Sequence, residues 1–335
     1  MAVPRRDAML ASLIAITIAF QPTRCARCQA PSKAPAPIYS GADGLGLSGS
    51  KTAQLKQALQ SHHYLTAEKL LLPEIEPDQR SAHTARLLDF LGGVYFLDHD
   101  YFHAAVAWKK SQAIAPLPAP VQFSLAMAYI RLGHSDWARG VLESLARQNQ
   151  KDALYPYWLG RVDFADHSFS QAIVHFKQAI ALAPHMATAY DNLGLCYYHL
   201  NQNGLALQSF TKAIDLSRDS AHPSAWPYLN LAITLRLLNR PAEAETNLRT
   251  AIRLDPQFAQ AHFQLGVVLE DSNQVQAAIS EFRESAHLDP NYAEPHFALA
   301  RVYGKLGESA LARKEVQIFL RIRAHSGAGA PPADQ

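Results

Sequence analysis

The amino-acid sequence predicts an all-α fold of stacked antiparallel helix pairs, and three observations predict it. Alanine recurs at Ala85, Ala119, Ala153, Ala187, Ala225, Ala259 and Ala293, in steps of 34, 34, 34, 38, 34 and 34 residues. Six residues into every unit stands a leucine (Leu91, Leu125, Leu159, Leu193, Leu231, Leu265, Leu299), always followed by glycine or alanine. Further on, a second alanine recurs from Ala104 to Ala312. One helical turn after it comes a large apolar residue: Trp108, Leu142, Phe176, Phe210, Leu248, Phe282 or Val316. Spacings of three and four put such residues on one side of a helix. Turn formers separate the two halves of a unit, as in His99-Asp100, Gly133-His134-Ser135, Asn201-Gln202-Asn203, Ser272-Asn273 and Gly307. Each unit therefore reads as two helices. Small residues such as Gly194 and Ala206 are expected to face each other and let the helices approach closely.

From the N-terminus, Arg5 and Arg6 precede an apolar run from Ala8 to Phe20, the length of a signal-peptide core and short for a bilayer span. Residues 1–30 are expected to be an export signal, or else a short membrane anchor, with the mature protein periplasmic or secreted. Residues 31–50 are rich in Pro, Gly and Ser and read as a flexible linker that buries nothing. Residues 51–84 read as one degenerate helix pair, with Tyr64, Ala67 and Leu71 in the spacing of a second helix. The seven regular units fill 85–325, and 326–335 is a Gly/Ala/Pro tail expected to be disordered. The longer step between Ala187 and Ala225 reflects an insertion at Asp219 to Ser224, expected to loosen stacking there.

Tyr190-Asp191-Asn192-Leu193-Gly194-Leu195-Cys196-Tyr197, followed by Ala206 and Phe210, resembles the tetratricopeptide repeat signature, and seven units in register carry it. The chain is thus identified by resemblance as an exported, bacterial-type member of that family. The resemblance implies a right-handed α-solenoid (superhelix), a non-catalytic role in protein–protein interaction, and a concave groove lined by the first helix of each unit. The sequence departs from the pattern at Asp163, where an aromatic is usual, and at Arg218, where a proline is. The basic and amide clamp that some members close on a carboxylate is not matched: Tyr157, Arg161 and Trp226 stand where its side chains would be.

Composition and motifs narrow the function further. Lys plus Arg number 31 and Asp plus Glu 29, a balance unlike the concentrated basic surface of a nucleic-acid binder. Three cysteines are too few for a disulfide scaffold, and Cys25-Ala-Arg-Cys28 has neither a following histidine nor a second pair. Most of the 15 histidines fall near turns or on outer faces, and no His-Glu-x-x-His or Gly-rich phosphate loop occurs. Asp163 and Asp166 read as solvated residues beside a turn, and Cys196 as a packed thiol. No enzyme activity, cofactor or metal is expected.

Transferring the groove by resemblance assigns an amide stripe, Asn192, Asn230 and Gln264, with Phe123, Tyr157, Trp158, Tyr198 and Phe263 as aromatic neighbours. A carboxamide offers a donor and an acceptor at once, which suits the backbone of an extended peptide or protein partner. The same amides also suit hydrogen bonds between neighbouring units, and the same aromatics suit packing between them. The alternative is a structural subunit of a cell-envelope assembly, secretion or polysaccharide-export complex that docks by its ends or convex face. The last helix carries Val316, Ile318, Phe319, Leu320 and Ile322 beside four basic residues, so self-association through it is a further expectation.

Overall fold

The computed structural model describes residues 38–75 and 80–327. The expected export signal and most of the expected tail lie outside the described residues. Among those described, the secondary structure is helical, with no strand. The chain forms two compact units, one up to Met186 and one from Ala187 onward.

The first unit begins with a 3-10 segment, Ile38–Leu45, and holds four helix pairs: α1 (Gly49–Gln60) with α2 (Tyr64–Leu71), α3 (Ala82–Leu97) with α4 (Tyr101–Gln112), α5 (Ala119–Arg131) with α6 (Ser135–Gln148), and α7 (Leu154–Ala165) with α8 (Phe169–Leu182). The second unit holds α9 (Ala187–His199) with α10 (Asn203–Ser217), α11 (Trp226–Leu237) with α12 (Pro241–Leu254), α13 (Ala259–Asp271) with α14 (Val275–Leu288), and α15 (Ala293–Lys305) with α16 (Ser309–Gly327). Inside each unit every helix packs on the next one in sequence.

Two expectations are corrected here. The linker assigned to 31–50 is not a linker from Ile38 onward. Ala42 and Leu45 are buried in one cluster with Leu55, Leu59 and Phe90, so the 3-10 segment covers apolar surface of α1 and α3. Nor does the insertion at Asp219 to Ser224 part its neighbours. The connection from Arg218 to Ala225 absorbs it, and α10 and α11 still pack together.

The turn inside each pair is the same device eight times. One residue takes a left-handed conformation: His62, His99, Gly133, His167, Asn201, Asn239, Asn273 or Gly307, with φ between 57° and 79°. The next residue's N–H then reaches back to a carbonyl five residues earlier, as in Asp100 to Tyr95 (2.9 Å), Gln202 to Tyr197 (2.8 Å) and Glu308 to Tyr303 (2.9 Å). That closure satisfies carbonyls which a helix end leaves open. Asn, Gly and His tolerate the left-handed region better than most residues, which is why the turn formers stood out in sequence.

In the regular pairs, from α3–α4 onward, the small residue after the leucine faces the second helix. A Cβ added to Gly92 would lie 2.5 Å from the Trp108 ring; one added to Gly160, Gly194 or Gly266 would lie 2.8, 2.5 or 2.6 Å from Phe176, Phe210 or Phe282. An added Cβ on Gly194 would meet the ring of Phe210 first, and Ala206, fully buried, stands one turn before that ring on the same helix. In the pairs where the small residue is Ala126, Ala232 or Ala300, the large one is Leu142, Leu248 or Val316. Glycine goes with an aromatic ring and alanine with an aliphatic chain, so the summed volume at the contact is conserved.

This contact makes a testable prediction. Gly194→Ala should lower stability by about 1–3 kcal/mol through overpacking, although alanine is the better helix former. Combining it with Phe210→Leu recreates the pairing of Ala232 with Leu248, and the double variant should lose less than the sum of the two single losses. Gly304, with nothing within 4 Å of an added Cβ, is the control: Gly304→Ala should stabilise. Thermal and urea unfolding check all four variants, and additive losses would contradict a volume-matched contact.

Candidate functional site

The residues expected to form an amide stripe sit on α9, α11 and α13 of the second unit, and the structure gives them unequal roles. Asn230 is buried and its Nδ2 donates to Asp191 Oδ1 of α9 at 3.0 Å. Gln264 is buried as well. Only Asn192 is half exposed, and its Nδ2 donates to Thr188 O of its own helix at 2.7 Å. The open ladder of three amides is therefore corrected to one accessible amide: Asn230 turns its donor to Asp191 of the preceding pair, and Gln264 lies buried. Burial pushes the Asp191 carboxyl up to about 6, with the Asn230 hydrogen bond opposing.

The aromatic candidates divide in the same way. Phe263 is buried against Phe282 and Tyr292, with ring centroids 5.8 and 5.4 Å away, and belongs to the core. Tyr157 is buried on Phe176 at 5.9 Å. Phe123, Trp158 and Tyr198 stay half exposed. In the first unit the Phe123 and Trp158 rings meet edge-on at 6.2 Å, and the Arg161 guanidinium lies over Trp158 at 5.2 Å. In the second unit burial raises the Tyr198 phenol, and the charge of Arg236 partly offsets it. Leu195, Ile233 and Val267, one turn beyond Asp191, Leu229 and Phe263, are half exposed at the same place in three successive first helices.

Charged side chains that sequence reading placed in solvent cross-link the helices. Asp163 is buried; it accepts from Arg139 of α6 and lies 2.5 Å from His175 Nδ1 of α8, while Arg139 also donates to Asp166 at 2.9 Å. The solvated reading of Asp163 is thus corrected. Its carboxylate stands where an aromatic is usual because it ties three helices together. Burial alone would raise its pKa, but the His175 and Arg139 hydrogen bonds outweigh that and hold it below the usual carboxylate range.

His262 and His296 lie 2.7 and 2.6 Å from Glu281 and Glu315, each joining the two helices of its own pair. Burial pulls the His262 imidazole down, yet Glu281 more than compensates, so its pKa is raised. Glu270 holds Arg301 and Lys305 of the next first helix at 2.6 and 3.0 Å, and Arg236 holds Asp271 at 3.2 Å. The spacing of 19 residues from His262 to Glu281 recurs from His296 to Glu315 and is the sequence signal for these pairs. Among the described residues, no group of three or more His, Cys, Asp or Glu side chains is placed to hold a metal ion. Cys196 is buried.

Comparison with known proteins bears on this arrangement. Family models described as tetratricopeptide repeat match residues 185–257 and 229–293. Anaphase-promoting complex subunit 6 of Arabidopsis thaliana is 25% identical over 166 residues, which cover 49% of this chain and 30% of that protein. The chain spans about a third or less of the length of the curated relatives it matches. Among solved structures, a tetratricopeptide repeat protein from Parabacteroides merdae superposes with a TM-score of 0.60 at 11% identity, covering 85% of this chain and 100% of that one. The APC/C hetero-tetramer Cut9-Hcn1 superposes with a TM-score of 0.56 at 19% identity, covering 78% of this chain and 50% of the other. These similarities establish the fold.

Two predictions follow the carboxylates. The Asp191 pKa is raised on folding, so its contribution to stability is complete below about 3.8 and is lost as pH rises through about 6. Asp191→Asn should therefore stabilise the protein by about 1–3 kcal/mol at neutral pH and change little near pH 4. Asp163 has the opposite sign: its carboxylate stabilises above the ordinary Asp pKa, and this is lost as pH falls through the lower folded value. Asp163→Ala, which removes the carboxylate of His175 and leaves Arg139 with Asp166 alone, should cost about 1–3 kcal/mol at neutral pH. Melting temperatures of both variants across pH check the two signs.

Proposed function

We propose that this chain, a tetratricopeptide-repeat protein, is a non-catalytic protein–protein interaction scaffold that holds an extended segment of its partner along the first helices of its second unit. One observation carries the reading: Leu195, Ile233 and Val267 form a half-exposed apolar stripe at one register of α9, α11 and α13. Asn192 and Tyr198 flank the stripe on α9. Charged pairs, Arg236 with Asp271 and Glu270 with Arg301 and Lys305, lie toward the ends of α11, α13 and α15. Apolar contact supplies affinity, while the Asn192 carboxamide and the Tyr198 hydroxyl give a peptide backbone polar partners. Phe123, Trp158 and Arg161 offer a second, aromatic contact on the first unit. Buried and engaged with Asp191, Asn230 supports the stripe from below.

Location outside the cytoplasm belongs to the same proposal and rests on Arg5, Arg6 and the apolar run to Phe20. Among the described residues no helix is long and apolar enough to cross a membrane. N-terminal sequencing of the native protein, with a start between Gln21 and Pro31 expected, tests export; an intact Met1 in a cytoplasmic fraction overturns it.

The binding reading is tested by selecting peptides from a random-sequence display library on the full chain and measuring their affinity for variants. Ile233→Asp should abolish binding. Asn192→Ala should weaken it by about 0.5–1.5 kcal/mol with little change in melting temperature. Asn230→Ala should lower the melting temperature, since it removes the partner of a poorly solvated carboxylate. Undiminished binding by Ile233→Asp would remove the stripe from the binding surface.

A further inference from the structure

The residue just before the recurrent alanine of each second helix is exposed in every regular pair: His103, Gln171, Leu205, Glu243, Ala277 and Leu311 occupy that place outside α6. The repeat therefore buries nothing at this register and asks no apolar residue of it. In α6 the residue is Trp137, and it is 58% exposed, whereas Trp108 of the preceding pair is 2% exposed. His134 of the α5–α6 turn stacks on the indole, with ring centroids 4.3 Å apart and planes at 27°. The Tyr129 ring meets it edge-on at 5.3 Å. Two ring contacts thus hold the indole in place without covering it.

Trp137 lines an open recess of about 470 Å³ between two neighbouring turns of the first unit, with Gly133, His134, Ser135 and Asp136 from one turn and Asp166 from the next. Apart from the rings of Trp137 and His134 the lining is polar, so an apolar occupant would strip water from groups it cannot satisfy. The charge is negative. Asp136 is exposed and, among the described residues, joins no ion pair. Asp166 Oδ2 accepts from Arg139 at 2.9 Å, and a carboxylate has room for further donors. Arg139 is shared with the buried Asp163, so one guanidinium serves two carboxylates. Arg131, at the end of α5, lies over the Tyr101 ring of the preceding pair, 5.9 Å from its centroid. Asp136, Asp163 and Asp166 outnumber Arg131 and Arg139 even when both cations are counted and the imidazoles of His134, His167 and His175 are neutral.

We propose that this recess takes an arginine side chain of another protein, with the guanidinium against the open part of the Trp137 indole and paired with Asp136 and Asp166. A cation over an indole is attracted by the negative face of the ring. Arginine suits the site better than lysine does, because its planar group stacks on an aromatic surface while its fork of N–H donors reaches carboxylates beside it. The Arg139 hydrogen bond holds Asp166 in place before the visitor arrives. The recess lies at the turns of the first unit, and it stands whether or not the stripe of Leu195, Ile233 and Val267 binds a peptide.

The test titrates the full chain, at constant ionic strength, with the capped peptide Gly-Ser-Arg-Ser-Gly and with the same peptide carrying lysine or citrulline in place of arginine. Citrulline keeps the shape of arginine and lacks its charge. Binding is read from the indole N–H signals of the four tryptophans, the Trp137 signal being the one that Trp137→Phe removes. The arginine peptide should shift the Trp137 signal and leave that of Trp158 in place. It should bind about tenfold more tightly than the citrulline peptide, with lysine between them. Asp136→Asn, a change at an exposed position, should weaken the arginine peptide about threefold with no change in melting temperature. Trp137→Ala should abolish binding, whereas Ile233→Asp should bind at full strength, which separates this recess from the groove reading. The proposal is overturned if the Trp137 signal does not move, if citrulline binds as well as arginine, or if Asp136→Asn binds undiminished. Tetramethylammonium binding as tightly as the arginine peptide would assign the recess to quaternary ammonium groups and overturn it equally.

Discussion

In the seven regular helix pairs a small residue after the leucine stands opposite a large side chain of the second helix. Backbone-to-ring approach at Gly92, Gly160, Gly194 and Gly266 leaves no room for a methyl group, and the pairs built on alanine answer with Leu142, Leu248 and Val316. Volume matching of this kind favours a similar interhelical spacing from pair to pair. Constancy matters because each pair is the platform for the next: in an array whose members touch only their neighbours, an error in one spacing shifts the seat of the following helix. The left-handed turn closed by a long backbone hydrogen bond has the same effect on orientation, since it fixes where the second helix begins.

Once the apolar contacts set the spacing, polar residues settle which neighbours are tied together. Asp163 binds Arg139 and His175 from the helices on either side, His262 and His296 each clamp their own pair, and Glu270 with Arg301 and Lys305 links successive first helices. Arg301 and Lys305 reach Glu270 from the surface, whereas Asp163, His175, His262 and His296 are buried or largely so, and the low local polarity strengthens their pairings and makes a missing partner costly. They also remove polar groups from the binding surface. Asn230, oriented toward Asp191, is a support for the stripe and no longer a contact for a peptide. What is left for partners is smaller and more apolar than an amide ladder.

The regular helix pairs, their turns and most of their apolar core positions were legible in the sequence alone. These features follow from period: a helix repeats every 3.6 residues and the pair every 34, so register carries the information without any knowledge of contacts. The covariation of glycine with aromatics and of alanine with aliphatics was equally present in the sequence, but it acquires meaning only when Gly194 is seen against the Phe210 ring. Tertiary structure alone decided the fate of the polar residues. Asp163, Asn230 and His262 look like solvated side chains because their partners lie on other helices, 24, 39 and 19 residues away for Arg139, Asp191 and Glu281. Burial of the segment from Ile38 has the same origin. Whether an apolar residue is covered depends on what packs over it, and a periodic sequence is silent about a neighbour that lies outside its repeats.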